Sequence, residues 1–155
     1  MSRIWMITFA ALLLAACGAR GRLPVGEMLP TQAVSTDSAW TLHFSYSGGI
    51  AGFDRTLEVG SNGQGTATDA RTGKTVKIQL TSAQLAQLHE LAGKAIFRED
   101  TRPGVCADCF VYTIEIESGN GTPFSAQVDD VSLEASGLSD LLDFLRTTVD
   151  QALKP

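Results

Sequence analysis

The stretch Trp40 to Val59 constrains the fold most, because it writes two half-buried strands and the corner between them. Trp40, Leu42, Phe44 and Tyr46 alternate with Thr41, His43 and Ser45, a period of two that gives a strand one apolar and one polar face. After the corner, Phe53, Leu57 and Val59 share a face that Arg55 interrupts, while Asp54, Thr56 and Glu58 point the other way. The connection is Ser47-Gly48-Gly49-Ile50-Ala51-Gly52. Its three glycines permit positive φ and close approach of the backbone to another surface. Ile50 is the unusual residue, since a solvated turn rarely needs a large β-branched side chain at its tip. The bland expectation is that Ile50 folds back onto the core. The functional expectation is that it serves a partner.

The rest of the chain repeats the strand signal. Ser61 to Gly65 and Arg71 to Lys74 read as turns flanking short strands at Thr66 to Ala70 and Thr75 to Leu80. Thr81-Ser82-Ala83-Gln84 has the form of a capping box and predicts a helix from Ser82 to about Ala92, with Gly93 as its left-handed exit. Arg98 to Asp108 is a charged loop. Phe110, Tyr112, Ile114 and Ile116 mark a strand, Ser118 to Gly121 a hairpin turn, and Thr122 to Val128 the returning strand. Asp129-Asp130 could bind a cation, but paired acids after a strand read first as a solvated turn. Leu138, Leu141, Leu142, Leu145 and Val149 predict a closing helix from about Gly137 to Leu153. The expected fold is α+β, an antiparallel sheet of hairpins with two amphipathic helices packed on one face.

The corner and the second strand pair carry a resemblance. Phe44-Ser45-Tyr46-Ser47-Gly48-Gly49-Ile50-Ala51-Gly52 and Ala107-Asp108-Cys109-Phe110-Val111-Tyr112-Thr113-Ile114, with a leucine-spaced helix between and a helix after, are similar to the emfourin family, small inhibitors of thermolysin-like zinc metalloproteases. The order of elements agrees over about residues 40 to 150. Three departures stand out. An aromatic is common where Ile50 stands, Cys106 and Cys109 lie outside the family pattern, and the family's namesake carries no lipid anchor. The resemblance implies an extracytoplasmic metalloprotease as partner and Ser47, Gly48, Gly49, Ile50, Ala51, Gly52 and Phe53 as the inhibitory loop. Thermolysin-like enzymes cut before large apolar residues, and Gly49-Ile50 offers one on a narrow hinge. Asp54 and Arg55 would form a polar rim. Central anchors of this type are worth on the order of 2–4 kcal/mol of binding.

The first residues speak to compartment. Arg3 precedes an apolar run from Ile4 to Ala16, too short to span a bilayer as a helix. The run ends in Leu14-Ala15-Ala16-Cys17, which resembles the lipobox of bacterial lipoproteins. That resemblance implies a signal peptide over residues 1–16, acylation of Cys17 and anchoring in the cell envelope. With Gly18 rather than Asp next, it implies the outer membrane of a diderm host. An ordinary secretory signal with an incidental Cys17 is the alternative. Residues 17–38, with scattered glycine and proline, are expected to be a flexible tether of roughly 25 Å reach. A single domain is expected over residues 39–155.

Loss of residues 1–16, whose one charged side chain is Arg3, takes the net charge from −5 to −6. Such an acidic domain lacks the basic footprint of nucleic-acid binding. Membrane contact is then expected only through the acyl anchor on Cys17, and the chain is expected to be a monomer.

Candidate chemistry is sparse. Cys106-Ala107-Asp108-Cys109 precedes a strand rather than a helix, so helix-dipole activation of a thiol is missing. A zinc site would have only His43 and His89 to complete it. A local disulfide in an oxidising compartment ranks first, stabilising by roughly 1–2 kcal/mol because the loop it closes is short; a redox pair ranks second. The sequence lacks a nucleophile elbow, a phosphate loop and a dinucleotide fingerprint. We therefore expect a non-enzyme without cofactor or metal. Two functions stay open: a lipid-anchored metalloprotease inhibitor, and a non-catalytic envelope module for protein binding or assembly.

Overall fold

The computed structural model describes residues 39–95, 106–119 and 123–155. Cys17, the expected signal peptide, the expected tether and most of the charged loop lie outside them. The fold is α+β, built on a six-stranded sheet in which every neighbouring pair is antiparallel. In chain order the strands are β1 (Trp40–Gly48), β2 (Phe53–Gly60), β3 (Gln64–Asp69), β4 (Lys74–Gln79), β5 (Phe110–Ser118) and β6 (Phe124–Asp129). The helices are α1 (Ser82–Lys94), between β4 and β5, and α2 (Leu133–Ser136) and α3 (Ser139–Ala152), after β6. The spatial order is β4-β3-β2-β1-β5-β6.

β1 through β4 form a meander of tight hairpins that leaves β1 at one side of its own unit. β5 then pairs with the free edge of β1, so the chain must cross from the outer strand β4 to the far side of the meander, and α1 lies on that crossing. β1 therefore becomes an inner strand, hydrogen-bonded along its length to β2 and β5. The period-two residues Trp40, Leu42, Phe44 and Tyr46 all point to the helix-covered face and are buried there with Leu57, Val59, Ile114 and Val128. Each such side chain contributes roughly 1.5–3 kcal/mol by leaving water. The other face carries Thr41, His43, Ser45, Thr56 and Glu58 toward solvent, as an antiparallel sheet permits.

Helix boundaries show where local signals competed. The capping box at α1 forms: Gln84 N–H donates to Thr81 Oγ1 and Thr81 N–H to the Gln84 side chain. The helix runs on through Gly93 to Lys94, however, and ends at Ala95 in extended backbone. Gly93 is thus a helical residue and not the left-handed exit. The closing helix also differs from expectation. Gly137 has φ of 75° and terminates the short α2, and α3 begins two residues later. The α3 stripe Leu141, Leu142, Leu145 and Val149 packs on the sheet, joined by Leu88 and Ala92 of α1. At the far end of α3, Lys74 Nζ donates to the carbonyls of Leu153 (3.0 Å) and Lys154 (2.9 Å). A cation there complements the negative end of the helix dipole.

Asp129 is not solvated. It is 1% exposed, and its carboxylate accepts from the N–H groups of Val131 (3.1 Å) and Ser132 (2.8 Å) and from Ser132 Oγ (2.7 Å). Burial is tolerated because three donors replace water around the carboxylate. The turn between β6 and α2 is folded around it.

Candidate partner-binding site

One end of the sheet gathers the corner, the cysteine pair and an ionic cluster. Ser47 pairs with Asp54 and Gly48 with Phe53, so the connection proper is Gly49-Ile50-Ala51-Gly52. Gly52 N–H donates to the Gly49 carbonyl at 2.8 Å and closes the turn. Arg71, from the β3–β4 turn, donates its guanidinium to the Ala51 carbonyl. The carbonyls of Gly49 and Ala51, the residues on either side of Ile50, are thus both engaged within the protein. Ile50 itself is 95% exposed. The structure excludes the bland expectation that its side chain folds back onto the core.

The corner rests on the segment leading into β5. Cys106 and Cys109 form a disulfide, with Cα atoms 5.5 Å apart. Gly48 has φ of 113°, and a Cβ built there would lie 2.2 Å from the Cys109 carbonyl oxygen. Gly49 has φ of 67°, and its Cβ would lie 2.7 Å from Cζ of Phe110. Gly49 N–H reaches toward the Cys109 carbonyl at 3.4 Å. Only glycine supplies both the positive φ and the close approach that this seat requires. The two sequence features singled out at the start, the Gly-rich corner and the cysteine pair, therefore touch.

Beneath the corner, on the helix-covered face, Tyr46, Phe53, Phe110 and Tyr112 form an aromatic base. Ring centroids are 5.8 Å apart for Tyr46–Phe110 and 5.9 Å for Phe53–Phe110, within the range of favourable aromatic pairs. Phe53 belongs to this half-buried base rather than to the exposed tip. Arg55 sits 4.6 Å from the centre of the Phe53 ring, and Arg146 4.8 Å from that of Phe110.

A row of cross-strand neighbours explains the apolar-face interruption at Arg55. Asp69, Arg55, Tyr46 and Tyr112 lie side by side across β3, β2, β1 and β5. Arg55 Nε donates to Asp69 at 3.1 Å and its Nη1 to Asp150 of α3 at 2.7 Å. Tyr46 donates its hydroxyl to the same Asp150 oxygen. Tyr112 donates to Asp130 at 3.0 Å and accepts from Arg146 at 3.1 Å. Burial, reinforced by the Asp150 hydrogen bond, pushes the Tyr46 hydroxyl up to about 12. Burial and Asp130 do the same for Tyr112, also about 12. Burial would lower the Arg55 pKa, but its bonds to Tyr46, Asp150 and Asp69 outweigh that and raise it. Against an opposing desolvation, the Thr72 N–H and Arg55 hold Asp69 below its ordinary value. Arg55 is thus turned inward, its side chain 18% exposed, and forms no rim around the loop. Asp54 is exposed beside it.

Sequence reading alone does not assemble this ionic cluster. Two signals pointed to it: a cation on an otherwise apolar strand face, and Arg146 and Asp150 one turn apart beside the α3 stripe. The histidines lie elsewhere. His43 is on the open sheet face with Nδ1 3.9 Å from Glu58, and His89 packs edge-on against Trp40. Among the described residues, no group of three or more His, Cys, Asp or Glu side chains could hold a metal ion.

The arrangement presents a convex, internally hydrogen-bonded loop with one apolar side chain at its apex. No protein-family model matches this sequence, and no curated protein matches it.

Proposed function

We propose that this chain is a lipid-anchored envelope protein that inhibits thermolysin-like zinc metalloproteases through the β1–β2 corner. The observation that carries this reading is Ile50, 95% exposed at the apex of a loop whose backbone is fixed from below and from the side. A fully exposed isoleucine is unfavourable in water and becomes favourable in an apolar pocket. Because the loop is already ordered, little conformational entropy is lost when it binds.

The geometry also supports an inhibitor over a substrate. Cleavage before Ile50 would require the Gly49 carbonyl to be polarised by the protease zinc. That oxygen already accepts the Gly52 N–H at 2.8 Å, inside a tight turn. The Ala51 carbonyl, one peptide beyond that of Ile50, is held by Arg71. The Gly49-Ile50 peptide group is thus held inside a closed turn. Acylation of Cys17 would keep the domain at the envelope, where such proteases meet cell-surface proteins.

Competition tests the reading. The full chain, kept in detergent, is mixed with thermolysin and with thermolysin whose cleft is filled by a small zinc-directed inhibitor, and each mixture is run on a sizing column. Co-elution with the free enzyme and none with the blocked enzyme is expected. Equal co-elution with both would place contact outside the cleft and contradict the reading. No co-elution with either would favour the envelope binding module instead.

A further inference from the structure

The Cys106–Cys109 disulfide lies at the surface and bears directly on the β1–β2 corner. Cys106, Ala107 and Asp108 are exposed, and Cys109 is half-buried. β5 begins at Phe110, which pairs with Gly48, so Cys109 stands one residue outside the ladder. Its carbonyl is fixed from two sides, by the first ladder pair of β5 and by the disulfide ring. That carbonyl is the seat of the corner. It receives the Gly49 N–H at 3.4 Å, and its oxygen lies 2.2 Å from where a Cβ on Gly48 would be.

The ring contributes little to the rest of the fold. It joins residues only three apart in sequence, and so short a loop removes little chain entropy from the unfolded state. The buried apolar core, from Trp40 of β1 to Val149 of α3, contains neither cysteine. Opening the bond therefore acts on the seat of the corner without dismantling the sheet.

We propose that this pair is a thiol–disulfide exchange site that sets the order of the corner, seated when the cysteines are oxidised and loosened when they are reduced. The reductant is an external dithiol. One of its thiols, having lost its proton to water, attacks Sγ of the exposed Cys106, and the bond to Cys109 breaks. Cys109 leaves as a thiolate and takes a proton from water, while a mixed disulfide joins Cys106 to the donor. The donor's second thiolate then attacks its own sulfur in that bond, Cys106 leaves and is protonated, and the donor departs as a disulfide. Two electrons and two protons pass from the dithiol to the cysteine pair. The attacking thiolate is the donor's, so neither cysteine needs activation by a helix dipole. The inference concerns the order of the corner and stands independently of what the corner binds.

The test uses the full chain in detergent, kept oxidised or treated with dithiothreitol under native conditions, and follows amide hydrogen exchange by NMR. Alkylation and peptide mass spectrometry read the state of Cys106 and Cys109 in each sample. Reduction is expected to speed exchange of the Gly49 and Gly52 amides by about tenfold or more and to leave Leu42 and Val59, inside the ladder, within about twofold. The double variant Cys106→Ser/Cys109→Ser is expected to match the reduced protein with or without dithiothreitol. A bond that dithiothreitol opens only after denaturant is added would overturn the proposal, as would corner amides that exchange alike in both states. Ladder amides that speed up together with the corner would also overturn it, since the bond would then be a staple for the whole domain.

Discussion

The carbonyl oxygen of Cys109 stands where a side chain on Gly48 would begin, 2.2 Å from the position of its Cβ. This single approach ties the glycine corner to the disulfide segment and explains why a loop with so little side-chain mass holds one shape. A Gly48→Ala protein must move backbone against backbone at a φ of 113°, and a loss on the order of 3 kcal/mol is expected. Gly52→Ala meets nothing within 4 Å and bears only the left-handed φ of 59°, so about 1–2 kcal/mol is expected. Urea unfolding of the two variants checks the ranking. Equal losses would show that close approach to Cys109 does not set the corner.

Asp150 links α3 to the sheet beneath that corner, through Tyr46 and Arg55. Asp150→Ala leaves Arg55 with Asp69 and the Tyr46 hydroxyl, and Tyr46 without its acceptor. Asp150 is about a third exposed, so the loss is discounted for solvent and expected to be on the order of 2 kcal/mol. The melting temperature should fall accordingly. An unchanged melting temperature would show that the cluster adds nothing to stability.

Alkaline pH acts on the same base. Tyr46 and Tyr112 are pushed from 10.0 up to about 12 in the folded chain, so each holds its proton more tightly folded than unfolded. Their contribution to stability is full below pH 10 and is lost as pH rises toward about 12. The urea midpoint should decline through that interval, and Tyr112→Phe should flatten the decline. Tyrosinate absorbance with its midpoint near pH 10 would contradict both shifts.

Arg71 separates inhibition from cleavage. Arg71→Ala releases the Ala51 carbonyl and one tether of the loop, with a stability change within about 0.5 kcal/mol because the side chain is exposed. We expect weaker inhibition and slow hydrolysis at Gly49-Ile50, read by mass spectrometry. A loop that stays intact with undiminished inhibition would show that this hydrogen bond is dispensable.

Much of the frame was legible in sequence because periodicity reports faces. The alternations from Trp40 and from Phe110 identified the central strands and their buried sides, and Thr81 with Gln84 marked the start of α1. Glycines misled where their role depends on context: Gly93 stays helical, whereas Gly137 ends a helix that four residues were too few to announce. Periodicity also cannot say which strands become neighbours. The row Asp69–Arg55–Tyr46–Tyr112 and its partner Asp150 exist only once β1 lies between β2 and β5. The Ile50 tip was visible as an anomaly, but its exposure follows from the seat on Cys109 and Phe110, which no local pattern encodes.

The most direct measurement is a titration of thermolysin activity with the unaltered chain and with Ile50→Asp. Loss of activity at one inhibitor per enzyme is expected for the first. For the second, an inhibition constant weaker by about 30-fold or more is expected, since a central anchor is worth on the order of 2–4 kcal/mol. Equal inhibition by the two proteins would remove the corner from the mechanism, and rapid cleavage of the unaltered loop before Ile50 would make it a substrate.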